Sequence, residues 1–301
     1  MKKILFIISS KAGKTEFDIN RNDLLALENR RPRDTKIEVI ETKYKGHIDE
    51  IIEDFAKEDG FEKYAIICGG DGSLNELVNV SYGKDISIGL IPTGTGNDFA
   101  KNFDYKNFNL EKIFSFYTSP IDLIEVNGKL CVNVTSLGFD TQVLKEAYKF
   151  LEKDPKLGKK AYIKAVISSL RNISYENLEI KMLMENGESK EIEGDFLISA
   201  ICNGAYYGSG FNPAPEASLC DGLINLITAE KIPLYKLPFM ILKYKKGKHQ
   251  TSPHLNEYKI SSGQISSRQV FLANIDGEIF TTNKINFKLI PSAISWIYFE
   301  D

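Results

Sequence analysis

Histidine and cysteine are scarce in this chain, with three of the first and four of the second among 301 residues. Cys68, Cys131, Cys202 and Cys220 lie far apart and form no Cys-x-x-Cys pair. That spacing argues against a disulfide scaffold and a zinc site, and suits a reducing, cytoplasmic compartment. His47, His249 and His254 are too few for a histidine-rich metal cluster. A charge excess of one sign is also missing: Lys+Arg 38 against Asp+Glu 41 leaves a net charge of -3. Bulk charge therefore does not favour nucleic acid as a partner, although a local basic patch can still face an anionic membrane. No apolar run approaches the ~20 residues of a membrane-spanning helix, so any membrane contact is expected to be peripheral. The opening Met1-Lys2-Lys3-Ile4-Leu5-Phe6-Ile7-Ile8 mimics a signal peptide, but its apolar run is short and no small-residue cleavage site follows. It reads as a first strand. A hydrophobic content of 43% is enough for a substantial core, and the length suggests two domains.

What the chain does have is a strand, a glycine-rich turn and a helix start, from Tyr64-Ala65-Ile66-Ile67-Cys68 through Gly69-Gly70-Asp71-Gly72-Ser73 to Leu74-Asn75-Glu76-Leu77-Val78. Glycines let a ligand approach the backbone, and the free N–H groups of a helix start attract phosphate. Asp71, between glycines, can hold a magnesium ion or shape a proton-transfer site. The plainer reading is a tight turn in which Ser73 and Glu76 form a Ser-x-x-Glu capping box.

The first third alternates strand and helix. Strands are expected at Lys3 to Ser9, Lys36 to Glu41, Tyr64 to Cys68 and Ile86 to Ile91, and helices at Asp18 to Asn29 and His47 to Asp59, the latter from Ile48, Ile51, Ile52 and Phe55. This rhythm implies a parallel sheet that binds ligands beyond its carboxyl edge. On that edge lies Ser9-Ser10-Lys11-Ala12-Gly13-Lys14, which is as consistent with an ordinary loop as with a nucleotide contact. A second glycine-rich turn, Pro92-Thr93-Gly94-Thr95-Gly96-Asn97-Asp98-Phe99-Ala100, follows the fourth strand. There Asn97 or Asp98 also suits a plain helix N-cap.

The two turns together resemble the diacylglycerol kinase catalytic-domain family, in its soluble bacterial lipid-kinase branch, with sphingosine and ceramide kinases as relatives. NAD kinases share the glycine-aspartate turn but carry their Asn-Glu pair well downstream, whereas Asn75-Glu76 follows here at once. The 6-phosphofructokinases share Gly-Gly-Asp-Gly-Ser but lack a Gly-Thr-Gly-Asn-Asp-Phe turn. The resemblance continues through Asn133 to Asp140, Asn203-Gly204, Gly208 to Phe211 and Ala214 to Leu223, and so covers nearly the whole chain.

The later two thirds change character. Short runs at Leu130 to Val134, Leu178 to Met184, Phe196 to Cys202 and Leu223 to Thr228, separated by turn residues, suggest an antiparallel β-rich domain. Helical inserts are expected at about Thr141 to Glu152 and Lys160 to Leu170. The expected fold is thus an α/β N-terminal domain with a parallel sheet, like that of NAD kinases and 6-phosphofructokinases, plus a β-rich antiparallel sandwich. The expected boundaries are 1–122 and 123–286, and the resemblance implies that 287–301 returns to the first domain. Asp221-Gly222 and Asp276-Gly277 each lie between apolar runs, where Asp-Gly most often means a two-residue hairpin.

The resemblance implies further roles. Nucleotide contacts would come from Ser9, Ser10, Lys11, Ala12, Gly13, Thr42, Gly69, Gly70, Asp71, Gly72, Ser73, Asn75, Glu76, Thr95, Asn97 and Asp98. A structural magnesium ion would map to Ser218, Asp221 and Leu223, and Asp98 with Asp122 would complete an acidic network around the catalytic metal. Asp276-Gly277-Glu278 would supply Glu278 as general base beside the catalytic Asp71, in a cleft between the domains. The chain departs from the family at Ser9-Ser10-Lys11-Ala12-Gly13, which stands where Asn-Pro-x-Ser-Gly is usual, and Ser73 replaces the more frequent threonine. The expected activity is transfer of the γ-phosphate of ATP, with Mg2+, to the hydroxyl of a membrane lipid, diacylglycerol or a related glycerolipid. The alternatives are an NAD kinase-like small-molecule kinase and a non-catalytic nucleotide- or lipid-binding protein; intact Asp71 and Glu278 weigh against the latter. Finally, Leu234 to His249 joins apolar and aromatic residues to lysines. It reads either as an interfacial membrane anchor or as core-facing residues with solvated lysines.

Overall fold

A computed structural model describes residues 1–9, 19–94, 96–158 and 160–300. The chain divides into two compact units, Met1–Ile121 with Ser292–Asp301, and Asp122–Pro291.

The first unit runs β1 (Lys2–Ile8), α1 (Arg21–Ala26), β2 (Thr35–Glu41), α2 (His47–Ala56), β3 (Glu62–Gly69), α3 (Asp71–Ser81), β4 (Ser87–Pro92) and the opening of β5 (Phe116–Val126). The sheet order is β4-β3-β1-β2, all parallel. Ile4 to Ile7 and Ala65 to Cys68 are buried without a break, the pattern of strands covered on both faces. On α2, Ile48, Ile51, Ile52 and Phe55 form the buried stripe that the spacing predicts. Asp18 lies outside the described residues, and α1 is shorter than expected. Asn20 accepts from the N–H groups of Asn22 and Asp23, Asp23 returns a bond to Asn20, and the helix therefore starts at Arg21. From the last segment of the chain, Trp296 is fully buried, pairs in parallel with Ile88 and stacks on Phe103 at 5.1 Å between ring centroids.

In the second unit the rest of β5 pairs with β6 (Lys129–Cys131), followed by β7 (Val134–Gly138), α4 (Phe139–Lys153), α5 (Lys160–Ser169), β8 (Glu176–Met184), β9 (Ser189–Phe196), β10 (Ile198–Cys202) and β11 (Ile224–Ala229). After these come α6 (Leu237–Lys245), β12 (Leu255–Ile275) and β13 (Glu278–Phe299). Pairing is antiparallel along β11-β10-β7-β12-β13, with β8 attached to β12 and β9 to β8. The long β12 pairs with β11 over Leu255 to Ile260 and with β7 over Ala273 to Ile275, so β11-β10-β7-β12 closes on itself. A register shift between Ser266 and Phe271 accompanies this course.

Alternation along β10 sends Ile201 to a core with Ile180, Ile265 and Phe287, while Ile198, Ala200 and Cys202 face a second core made with α4, α5 and α6. Leu130 to Val134 is not the single run expected from its composition. It breaks between β6 and β7, where an aspartate from another segment takes the backbone N–H groups.

Candidate active site

Parallel register sets the candidate phosphate rim of the first unit. Ile8 lies opposite both Glu41 and Cys68, and Cys68 opposite Ile91, so the carboxyl ends of β1 to β4 are level. The loops that follow share one rim. Thr42 N donates to Ile8 O, Ser9 N to Cys68 O and Gly94 N to Gly69 O. Gly94 and Gly70 meet backbone to backbone, since a Cβ on Gly94 would stand 2.3 Å from Gly70 Cα. Only glycine permits that approach, and it packs the two turns that the sequence singles out against each other.

Asp71 is the first residue of α3, whose cap, Gly70, offers no side chain. Its carboxylate accepts from Asp98 N (2.9 Å) and Phe99 N (3.1 Å), and so ends the second turn from across the rim. Asp98 itself gives no capping bond, and its carboxylate pairs with Lys101. Asn97, at φ 49°, donates through Nδ2 to Pro92 O and Gly94 O. The Ser-x-x-Glu capping box is not formed. Ser73, already inside the first turn, donates to Ser9 Oγ at 2.9 Å, and Glu76 accepts from Gly46 N at 3.0 Å, tying α3 to the start of α2. Asn75 accepts from Asn79 Nδ2 within α3. Ser10, Lys11, Ala12, Gly13 and Thr95 lie outside the described residues. The first N–H groups of α3, with the glycine backbone before them, form an edge that can donate hydrogen bonds to an anion.

In the second unit the candidate residues gather at the β12–β13 hairpin. Asp276 (φ 46°) and Gly277 (φ 91°) take the left-handed pair that a two-residue turn requires. The turn does more than reverse the chain. Asp276 Oδ2 accepts from Val132 N at 2.7 Å, and Oδ1 accepts from Asn133 N at 2.9 Å and Val134 N at 3.0 Å. Behind it, buried Asn274 donates to Ser136 Oγ and Thr141 Oγ1, and Tyr148 of α4 donates to Gly277 O at 2.8 Å. Glu278, the first residue of β13, is exposed. Asp276, Asn274 and Tyr148 are missing from the site read from sequence. The signal for the first lay in the Asp-Gly-Glu itself and Asn274 stands two residues before it on β12, whereas Tyr148 reaches the turn from α4.

Ser218, Asp221 and the Leu223 backbone can each offer an oxygen, with the Cys220 thiol beside them. Asp221-Gly222 is not a hairpin, because it lies in the long loop between β10 and β11. Gly222 N donates to Asp122 Oδ2 at 2.8 Å, Asp122 N donates to Leu219 O, and Leu223 N donates to Asp221 Oδ1. The Asp221 carboxyl is raised above its ordinary range, first by burial and further by the nearby Asp122 charge, and Lys259 opposes this. Ser218 Oγ accepts from Cys220 N. Among the described residues no three His, Cys, Asp or Glu side chains gather as a metal site. Within the first unit Asp71 accepts from the backbone of the second turn and Asp98 pairs with Lys101, and within the second unit Asp122 accepts from Gly222 N.

Deeper in the second unit, Tyr207 donates to Asp140 Oδ2 at 2.8 Å and lies 3.3 Å from the Tyr244 hydroxyl. Burial pushes the Asp140 carboxyl up to about 6, against hydrogen bonds that favour its charged form.

A glycine-rich α/β unit followed by an antiparallel β unit defines a class of two-domain kinases, and comparison with known proteins narrows it. Residues 3–126 match the diacylglycerol kinase catalytic domain, and residues 133–298 match the YegS C-terminal NAD kinase beta sandwich-like domain. The chain belongs to the YegS-like family of lipid kinases that carry a diacylglycerol kinase catalytic domain. Similar proteins include "Probable lipid kinase YegS-like" of Shewanella frigidimarina, 28% identical over 77% of this chain and 75% of that protein. "Probable lipid kinase YegS" of Escherichia coli O9:H4 is 28% identical over 75% of each. In fold, a diacylglycerol kinase from Bacillus anthracis aligns with 99% of this chain and 97% of its own, at a TM-score of 0.68 and 18% identity. The chain is thus a lipid kinase, with ATP as the phosphoryl donor that a kinase family implies, and no helix among the described residues is long and apolar enough to cross a membrane.

Proposed function

We propose that this lipid kinase transfers the γ-phosphate of ATP to the free hydroxyl of a membrane glycerolipid, diacylglycerol or a close relative, while in peripheral contact with the cytoplasmic face of the membrane. The observation that carries the reading is the Asp-Gly-Glu hairpin, in which three backbone bonds to Asp276 immobilise the turn and leave Glu278 exposed beside it. A carboxylate so placed accepts the proton of the lipid hydroxyl as its oxygen attacks the γ-phosphorus. The bond to the bridging oxygen breaks and ADP leaves. The rim from Gly69 to Ser73, with the N–H groups that open α3, holds the phosphates, and Asp71 keeps the two turns together so that those donors stay in place. Ser9 and Thr42 border the same rim.

Magnesium, when bound, neutralises charge on the phosphates. The loop at Ser218, Asp221 and Leu223 suits such an ion by its donors. Those three residues offer oxygens, and the Asp221 and Asp122 carboxylates repel each other in a way that a divalent cation would cancel.

The test is incubation of the purified protein with γ-labelled ATP, magnesium and separate lipid classes, with NAD as a control acceptor. Label should enter a glycerolipid. Glu278→Gln should lower that rate by about 10² to 10⁴-fold, roughly 3 to 5 kcal/mol of barrier, with nucleotide affinity nearly unchanged by calorimetry. A variant that kept most of the wild-type rate would leave Glu278 as an ordinary hairpin residue.

A further inference from the structure

Helix α6 has two apolar faces, and only one is used inside the fold. Leu237, Met240 and Tyr244 are buried in the core shared with α4 and α5. Tyr235, Phe239 and Leu242, spaced by four and three residues, form the opposite stripe and are 81%, 60% and 58% exposed. On α5, which contributes to the same core through Ala165, Ile163 and Ile167 are 57% and 59% exposed. Two helices that bury residues in one core thus both turn large apolar side chains to water, as interaction surfaces do.

Charge identifies the occupant. Between Lys231 and His249 there are six lysines, Lys231, Lys236, Lys243, Lys245, Lys246 and Lys248, and no aspartate or glutamate. Lys243 Nζ lies 4.9 Å from the Phe239 ring centroid and Lys236 Nζ 5.7 Å from that of Tyr235. The ammonium groups of Lys243 and Lys236 thus lie over the faces of the exposed rings. Apolar residues flanked by ammonium groups match the layering of a bilayer, with acyl chains beneath anionic headgroups.

We propose that the exposed stripe of α6, together with Ile163 and Ile167 of α5, docks on an anionic lipid bilayer. This rests on the reading that the acceptor is a membrane lipid. Tyr235, Phe239 and Leu242 enter the boundary between headgroups and acyl chains, and the lysines lie among the headgroups. The docking helix is tied to the rest of its unit from its buried side, where the Tyr244 hydroxyl meets Tyr207 and Tyr207 donates to Asp140 at the start of α4. The same α4 holds Gly277, next to Glu278, through Tyr148.

The experiment compares wild type, Phe239→Ser with Leu242→Ser, and the quadruple change of Lys243, Lys245, Lys246 and Lys248 to Gln. Each is sedimented with phosphatidylglycerol-rich and with pure phosphatidylcholine vesicles at low salt, and assayed on vesicle-embedded and on detergent-dispersed short-chain diacylglycerol. Each lysine near an anionic surface contributes about fivefold in partitioning, so the quadruple variant should bind the anionic vesicles on the order of several hundredfold more weakly. The apolar pair should also lose binding. Both should lose turnover on vesicles and keep it on the dispersed lipid. Equal sedimentation of all three proteins overturns the proposal. So does a face that holds two copies together, seen as a dimer that the variants convert to monomer with no change in vesicle binding. A wild type whose sedimentation depends on these residues, but which phosphorylates no lipid in either form, upholds the docking surface and overturns the substrate reading instead.

Discussion

Replacing Asp276 by asparagine tests the hairpin at the point where it does most. The carboxylate accepts three backbone N–H bonds, one at Oδ2 from Val132 (2.7 Å) and two at Oδ1 from Asn133 (2.9 Å) and Val134 (3.0 Å). Hydrogen bonds to a charged group contribute about 1.5 to 3 kcal/mol each, and a buried donor left without a partner costs about 1 to 3 kcal/mol. Asparagine tolerates the left-handed backbone at this position (φ 46°) and keeps an oxygen where Oδ1 stands, but sets an N–H₂ against the N–H of Val132. One bond is then lost and two become neutral, for a destabilisation of about 3 kcal/mol. Alanine removes both acceptor oxygens, and with them all three bonds, and adds left-handed strain, so it should cost roughly 2 kcal/mol more. Equilibrium urea unfolding of the three proteins, with hydrogen exchange at Val132, Asn133 and Val134 to localise the loss, measures both numbers. Because the turn also carries Glu278, turnover should fall in the same order. An asparagine variant within about 0.5 kcal/mol of wild type, with those amides still protected, would refute the idea that the carboxylate anchors the turn.

Two further outcomes follow from the charges of the second unit. The Asp140 carboxyl rises from 3.8 to about 6 on folding, so its contribution to stability is complete below pH 3.8 and is lost as pH rises through about 6. The stability of Asp140→Asn relative to wild type should therefore increase by about 2.4 kcal/mol between pH 4 and pH 7.5, and a flat difference over that range would contradict a buried carboxyl held by Tyr207. Asp221→Ala should abolish most of the rise in melting temperature that magnesium gives the wild type, since an ion bound only by the folded loop stabilises by mass action. An unchanged magnesium response would remove the ion from that loop.

The local chemistry of the site was legible in the sequence where it depends on neighbours along the chain. The β-α-β alternation, the two glycine-rich turns and the left-handed Asp276-Gly277 pair follow from periodicity and from the few residues that adopt positive φ. Other features only tertiary structure decided, because they are contacts between segments far apart in sequence. Asp71 reads as a metal or proton group, yet its oxygens cap the second turn 27 residues away. Ser73 and Glu76 have capping-box spacing, but a helix that begins at Asp71 puts Ser73 past the cap, and the two side chains bind Ser9 and Gly46 instead. The stretch from Leu234 to His249 shows best what spacing leaves undecided. Apolar residues occupy both sides of α6, so no periodicity could say which side packs. Burial of Leu237, Met240 and Tyr244 against α4 and α5 settled it and left Phe239 and Leu242 facing water. A pattern along the chain names the residues that must leave water, whereas the partner surface that covers them comes from another part of the fold.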